Sequence, residues 1–450
     1  MAVLYVLVGA VVIPVAASLF RRPQRGILVL VGLVPFDGVL QLLPHASVLR
    51  SWKEVLVGLT LLATFAAPAS ERAPRRALPG WWPALVGLVV LAVGSAVVVA
   101  AGGNVTQAFT GVRIEFFYLL AAWAIWRCPL AARDRDRAVT AVMATTVLTA
   151  LVGLAQEAVG PARLHSFGYA YNSTIRFTGG HLRAFSTFTY QSPFAYFVMF
   201  GILLGACQFV AEPGRPRNRG FVLTLPVVLG GLFFTFERGA WIGLAAGCLY
   251  LGLRHHRRLL LVLPIGAVGF LYLPKTFSVA ALSSTSLGER SAGWGANLGQ
   301  LYAHPLGVGI GATGAAAERV ASLQGTGAAA LAAAVYQPDN YYFKTTYELG
   351  VLGLWMLVLV LVGLLVSADR TALALDGRDR ALAAGVSAFV LAAMVTSAVA
   401  TFFEIFPMDA LTWVFVTVVA TMAAAGAAPP EPAARSEPET PVHLHRLFGG

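Results

Sequence analysis

WPALVGLVVLAVGSAVVVAA, residues 82–101, runs for twenty positions without a charged side chain. As a helix rising 1.5 Å per residue it is about 30 Å long, the thickness of a bilayer's hydrocarbon core. Similar apolar runs recur on both sides of it, near 2–20, 26–44, 54–70, 107–126, 138–158, 193–211, 220–236, 238–253, 259–274, 341–366, 381–401 and 409–426. With the first, these are thirteen predicted spans. None shows the period-2 alternation of a barrel strand, and backbone in lipid must satisfy its own hydrogen bonds. The expected fold is therefore all-α, a polytopic integral membrane bundle of about 12–13 transmembrane helices with two long outer loops. Composition points the same way: 58% of residues are hydrophobic and 12% charged, at a mean hydropathy of +0.73. A soluble domain carries roughly 25% charged residues, so lipid is the solvent for most of this chain. Intrinsic disorder, a disulfide scaffold and a soluble nucleic-acid binder are excluded together.

The formal net charge of +11 is mainly a topology signal. Arginines cluster at 21–25, 72–76, 127–137, 215–219, 254–258, 370–380 and in the tail at Arg435 and Arg446, which accounts for 21 of the 32 basic residues. All seven clusters fall in alternate connections, which the positive-inside rule reads as cytoplasmic. The N-terminus is then expected outside and the C-terminus inside the cytoplasmic membrane. The first run has no positive charge ahead of it and reads as a span, not a cleaved leader. Cys128, Cys207 and Cys248 form neither a disulfide framework nor a zinc spacing. Residues 1–426 are expected to form one polytopic domain, followed by a Pro/Glu-rich cytoplasmic tail over 427–450 without a fold of its own.

Two outer connections are long, about 159–192 and 275–340, and long loops in compact proteins are commonly functional. Their Gly, Ser, Tyr and Arg content with apolar anchors predicts ordered segments over the bundle mouth, including a short surface helix in GTGAAALAAAVY (325–336). Eleven basic residues remain on the outer side. Eight of them lie in these loops and the adjoining span ends: Arg163, Arg176, Arg183, Arg238, Lys275, Arg290, Arg319 and Lys344. They face only Glu237, Glu289, Glu318 and Asp339. That excess favours an anionic ligand, since the planar arginine fork matches phosphate oxygens. Arg238 is the sharpest case, because FTFERGAWIG places it where one apolar run ends and the next begins. An ionisable group at that depth points to function; snorkelling to the interface or pairing with Glu237 is the alternative.

Three segments then stand in a fixed order: LRAFSTFTYQSPFAY (182–196), FTFERGAWIGLAAG (234–247), and GERSAGWGANLGQLYAHPLGVGIGATG (288–314) followed by QPDNYYFKTTYELGVLGL (337–354). In order, spacing and outer placement they resemble the O-antigen ligase and polysaccharide polymerase (Wzy-type) superfamily of membrane glycosyltransferases, with the core of the resemblance at 182–354. What the resemblance implies is transfer of a glycan from an undecaprenyl-diphosphate-linked oligosaccharide donor to a hydroxyl of a glycan or lipid-glycan acceptor, at the outer face of the membrane. It implies no metal, no cofactor and no nucleic-acid partner. Arg238 and Arg290 match the diphosphate-binding arginines, with Arg183 as a third contact. His304 and Gly307, Gly309 and Gly311 match the family's Pro/Gly-rich turn, where His304 either contacts substrate or only supports the turn. Where ligases of the family carry a His–Asn pair, this chain has Asp339–Asn340. Asp339 is either the base that accepts the acceptor's proton or a cap for the following helix. Loss of the His tilts the expectation toward polymerase or another glycan transfer.

Tyr169, Tyr171, Tyr190, Trp294, Tyr341 and Tyr342 stand near the expected mouth, either to stack on sugar rings or to form an interfacial aromatic belt. A transporter or flippase of lipid-linked saccharides is the rival function. It would draw on the interrupted run GLVPFDGVLQLLP (32–44) with Asp37, yet it predicts a two-half symmetry that the loop positions lack.

Overall fold

A computed structural model describes residues 17–42, 51–73, 77–261, 299, 302–323 and 338–426. The expected spans at 2–20 and 259–274, the helix at 325–336 and the tail lie wholly or mostly outside these residues. The regular secondary structure of the described residues is helical apart from one two-stranded hairpin and one isolated bridge. The helices are α1 (Gln24–Leu33), α2 (Trp52–Ala66), α3 (Trp82–Ala101), α4 (Val105–Phe116), α5 (Leu119–Arg127), α6 (Ala132–Val159), α7 (Pro161–Ser166), α8 (Gln191–Ala211), α9 (Pro216–Leu223), α10 (Leu225–Phe233), α11 (Arg238–Arg254), α12 (Gly314–Leu323), α13 (Tyr341–Ala374), α14 (Gly377–Thr396) and α15 (Met408–Gly426). The protein is an all-α polytopic membrane protein.

Length separates the helices. Among the described residues five are long and apolar enough to cross a bilayer alone: α3, α6, α8, α13 and α14. A sixth crossing is made if α4 and α5, bent by 45° to each other, act together. Of the other predicted runs, those at 238–253 and 409–426 are α11 and α15, and several runs are broken for a local reason. The run at 26–44 is helical to Leu33 and then tightens into a 3-10 turn over Val34–Leu42, where Pro35 removes a backbone donor. The run at 220–236 divides into α9 and α10 at Thr224, with a proline in the first turn of α10. The run at 341–366 extends to Ala374, but Gly350, at φ +71°, interrupts its helical backbone.

Burial then sorts the long helices. In α8, 78% of the apolar window is buried, and in α14, 72%; in α3 the share is 17%. The first two form the packed centre, with α14 against α8, α11 and α13. Phe200, Phe389, Phe402 and Phe415 interlock there. Small residues permit the approach: a Cβ on Gly243 of α11 would stand 2.4 Å from Thr396 Oγ1 of α14. Helix α3 exposes Val90, Val97 and Val98, as suits a surface solvated by lipid tails.

The arginine clusters meet at one end of this bundle. Arg22 pairs with Glu71, and the Ala73 N–H donates to Arg127 O (2.8 Å). Arg135 Nε donates to Asp379 (3.0 Å), and Arg215 and Arg217 both hold Asp136. Arg378 grips Glu212, and Arg254 grips Asp369. At the other end the first long loop is ordered: α7, a hairpin of β1 (Phe177–Thr178) and β2 (His181–Leu182), and a satellite core of Leu164, Tyr169, Ile175, Leu182 and Phe185.

Candidate functional site

Two strained turns build the cavity end. In the first, Ser186 takes φ +55°, a conformation that L-residues rarely adopt. Gln156 of α6 fixes it on both sides, its Oε1 accepting from the Ser186 N–H (2.7 Å) and its Nε2 donating to Ser186 O (2.8 Å). The Ser186 hydroxyl donates to Thr149 O. In the second, Phe236 takes φ +51°, an outlier for a bulky side chain, immediately before Glu237 and Arg238. Arg183 braces that turn. Its Nε donates to Thr235 O (3.0 Å) and its Nη2 to Glu237 Oε2 (2.9 Å). Burial pushes the Arg183 guanidinium below the usual arginine range, and the adjacent Glu237 carboxylate opposes that shift. Glu237 also accepts from Ser192 Oγ (2.7 Å), so the two turns are cross-linked through one carboxylate. Such strain persists only where surrounding contacts over-determine it, and it concentrates at functional sites.

Between these turns and the segment 399–406 opens a cavity of about 850 Å³. Arg183, Arg238 and Asp339, which are far apart in sequence, all line it. Lys53, Arg176, Asp37, Glu237, Glu318 and Glu404 complete its charged lining among the described residues. Helices α8, α11 and α12 begin at its wall, at Gln191, Arg238 and Ala315, and Asp339 stands just ahead of α13. Several partly positive helix ends thus border one space. Gln191 is only 3% exposed, and its Oε1 accepts no hydrogen bond among the described residues. A buried orphan acceptor on a cavity wall suits a hydroxyl donor from a ligand.

The remaining predicted site residues fall elsewhere. Arg290 and Trp294 lie outside the described residues. Asn340, not Asp339, caps α13: its Oδ1 accepts from the N–H groups of Tyr342 (2.9 Å) and Phe343 (3.1 Å), and its Nδ2 donates to Ala398 O (2.9 Å). Both ends of that amide are engaged in structure. His304 is exposed, away from the cavity lining, with its ring edge-on to Tyr347 at 6.0 Å. Of the aromatic candidates, Tyr190 lines the cavity, beneath the Arg176 guanidinium at 5.2 Å. Tyr169 belongs to the satellite core, and the Tyr341 and Tyr342 hydroxyls donate to Glu115 (2.5 Å) and Met394 O (2.8 Å). The expected basic excess is not seen in the described walls, where Lys53, Arg176, Arg183 and Arg238 meet five carboxylates. Two of the pairs close on themselves, Lys53–Asp37 (2.9 Å) and Arg183–Glu237.

The Gly-rich turn explains itself through α13. Where Gly350 breaks the helix, the Tyr347 and Glu348 carbonyls accept from Val308 (2.8 Å) and Gly309 (3.1 Å), and the Val351 N–H donates to Pro305 O (3.2 Å). A Cβ on Gly307 would stand 2.5 Å from Glu348 O, and one on Gly350 2.6 Å from Pro305 O. HPLGVGIG and YELGVLGL are therefore two halves of one joint.

Beside the joint lies a group that the sequence only hinted at. Lys344, 1% exposed, is ringed by three carboxylates: Glu115, Glu348 (3.1 Å) and Glu404 (3.5 Å). Thr313 donates to Glu348 Oε1 through both its N–H (3.0 Å) and its hydroxyl (2.9 Å). Lys344 stood among the outer basic residues by topology alone, and the one signal for Glu404 was a lone acid in the apolar stretch TFFEIFP.

These features define a class: a polytopic helical membrane protein with a polar, arginine-bearing cavity at one end of its bundle. Residues 222–358 match the family model described as O-antigen ligase, which supports the O-antigen ligase and Wzy-type superfamily that the motifs resemble. The matched stretch contains Phe236, Glu237, Arg238, Ala315, Glu318 and Asp339 of the cavity wall. No curated protein matches the chain.

Proposed function

We propose that this protein transfers a glycan from an undecaprenyl-diphosphate carrier to an acceptor hydroxyl, with the cavity opening at the outer face of the cytoplasmic membrane. The observation that carries the reading is the coincidence of the family match with a cavity on which Arg183, Arg238 and Asp339 converge. The positive-inside rule supports the orientation, since the paired arginine clusters occupy the opposite end.

In this reading Arg238, with Arg290 from the second long loop, holds the diphosphate, and helix N-termini add to the anion-binding field. Arg183 keeps the strained 235–237 turn in place and presents its face to the same space. As the anomeric carbon–oxygen bond breaks, negative charge grows on the diphosphate, and fixed guanidinium groups in a partly dewatered site stabilise it. The acceptor's sugar meets Gln191, Tyr190 and the carboxylates of Asp339 and Glu404. Neither metal nor nucleotide enters the step.

The test is reconstitution of the full chain in vesicles with a polyprenyl-diphosphate-linked oligosaccharide and a glycan acceptor. Expected is glycan transfer that survives a metal chelator. Movement of the intact lipid-linked saccharide across the bilayer without any new glycosidic bond would instead establish the flippase function. Analysis of surface polysaccharides in a deletion strain then separates the subtypes. Short single-repeat products mark a lost polymerase, whereas long carrier-bound glycan that never reaches its acceptor marks a lost ligase.

A further inference from the structure

Glu404 sits on the short 3-10 turn Phe402–Glu404, between α14 and α15, and it is the member of the Lys344 group that lines the cavity. One of its oxygens, Oε2, accepts from the Ala315 N–H at the start of α12 (3.3 Å) and lies 3.5 Å from Lys344 Nζ. Behind it, within the bundle, Lys344 also holds Glu348 and Glu115. Three carboxylates around one ammonium leave two negative charges in excess when all are ionised. A space this dry disfavours uncompensated charge, and a proton offsets it.

We propose that Glu404 is the group that takes the proton from the acceptor hydroxyl, in the glycan transfer set out above, on which this inference rests. The hydroxyl O–H bond breaks and its proton passes to a Glu404 oxygen. The freed electron pair forms the new bond to the anomeric carbon, and the old carbon–oxygen bond breaks with its electrons on the departing diphosphate. Lys344, Glu348 and Glu115 act as positioning residues that hold the Glu404 carboxylate at the wall and set its basicity. Geometry favours Glu404 over Asp339 for this role: Asp339 is exposed, whereas Glu404 is 6% exposed and fixed from two elements besides its own turn. Burial raises its carboxyl to about 7; the Lys344 ammonium lowers it, Glu115 and Glu348 raise it, and a Thr401 hydrogen bond lowers it. A base with that affinity works near neutral pH, where correct ionisation and proton affinity are best matched. The sign follows: below about pH 7 the group is protonated and cannot accept, so transfer falls as pH falls.

The test compares the wild type with Glu404→Gln, Glu404→Asp and Asp339→Asn, each as full chain in lipid nanodiscs with a polyprenyl-diphosphate oligosaccharide. For Glu404→Gln we expect kcat to fall about 100-fold or more, the usual share of a general base, with donor KM within a factor of about two. The acid limb near pH 7 is expected to vanish with it. Glu404→Asp should restore part of the rate with a displaced limb, and Asp339→Asn should keep the wild-type limb whatever its rate. Infrared difference spectra, wild type minus Glu404→Gln, should contain a protonated-carboxyl band that titrates near pH 7, a readout independent of turnover. Wild-type rate and limb in Glu404→Gln, or a limb lost in Asp339→Asn alone, overturns the proposal and leaves the transfer reading standing. A wild type that moves no glycan, even where the infrared band titrates, overturns the transfer reading and the base role with it.

Discussion

The two ends of the bundle use their charges in opposite ways. At the arginine-rich end Arg135 and Arg217 are more enclosed, but the outermost pairs are largely exposed: the Arg378 and Glu212 side chains are 52% and 32% exposed, and Arg254 is 54% exposed against Asp369. Water screens such contacts, and each contributes roughly 0–1 kcal/mol. At the cavity end the corresponding groups are enclosed: the side chains of Lys344, Glu348 and Glu404 are each 2% exposed, and those of Arg183 and Glu237 19% and 11%. There the same ionic chemistry costs desolvation and contributes specificity of position, because a buried charge that loses its partner is heavily penalised. The outer pairs of one end are weak and replaceable braces. The other end is a small number of irreplaceable placements around a space.

Substitutions at the two ends should therefore separate widely. The largest effect is expected for Arg183→Ala, which leaves Glu237 buried without its guanidinium and frees the strained turn at Phe236. A loss of about 3–5 kcal/mol of stability is anticipated, read as a lowered unfolding midpoint in detergent, together with lost transfer. Arg238→Ala comes next: transfer should fall on the order of 100-fold, equivalent to about 3 kcal/mol in the transition state, with the unfolding midpoint unchanged. A midpoint that drops as far as in Arg183→Ala would make Arg238 another brace and erase its distinction from Arg183. Gly350→Ala should destabilise by roughly 1–3 kcal/mol, since it forces a side chain into a left-handed conformation against Pro305 O. Both unfolding and accessibility of the 304–311 turn to proteases report it. The smallest effect belongs to Arg378→Ala at the other end, whose pair with Glu212 is largely exposed: within about 1 kcal/mol, shrinking further in high salt and leaving transfer intact. Lost transfer in Arg378→Ala would break the contrast between the ends.

Much of the fold was legible from the chain. The span at 82–101 is helix Trp82–Ala101 in the structure, and the arginine clusters at 21–25, 72–76, 127–137, 215–219, 254–258 and 370–380 do gather, where described, at a single end. The interrupted run with Asp37 is interrupted in fact, and Arg183, Arg238 and Asp339 do share a cavity. Other details were not legible, for identifiable reasons. Hydropathy counts apolar residues and is blind to Thr224 and Gly350, where a turn or a positive φ breaks a run that composition joins. Asp339 and Asn340 are both good capping residues, and only the direction of the backbone at the start of α13 gives the task to Asn340.

Hydropathy and charge order are properties summed along the chain, so membrane residence, helix content and the segregation of arginine follow from the string of residues directly. The Lys344 group is of another kind. Glu115, Lys344, Glu348 and Glu404 come from α4, from two turns of α13 and from the turn before α15. No spacing rule connects them, and each taken singly is an ordinary outer-side charge. The joint between Gly307 and Gly350 is similar, two separate glycine motifs whose need for one another exists only at contact. Proximity between distant segments arises from packing, which buries these charges together and so changes what they do; that step belongs to the tertiary structure.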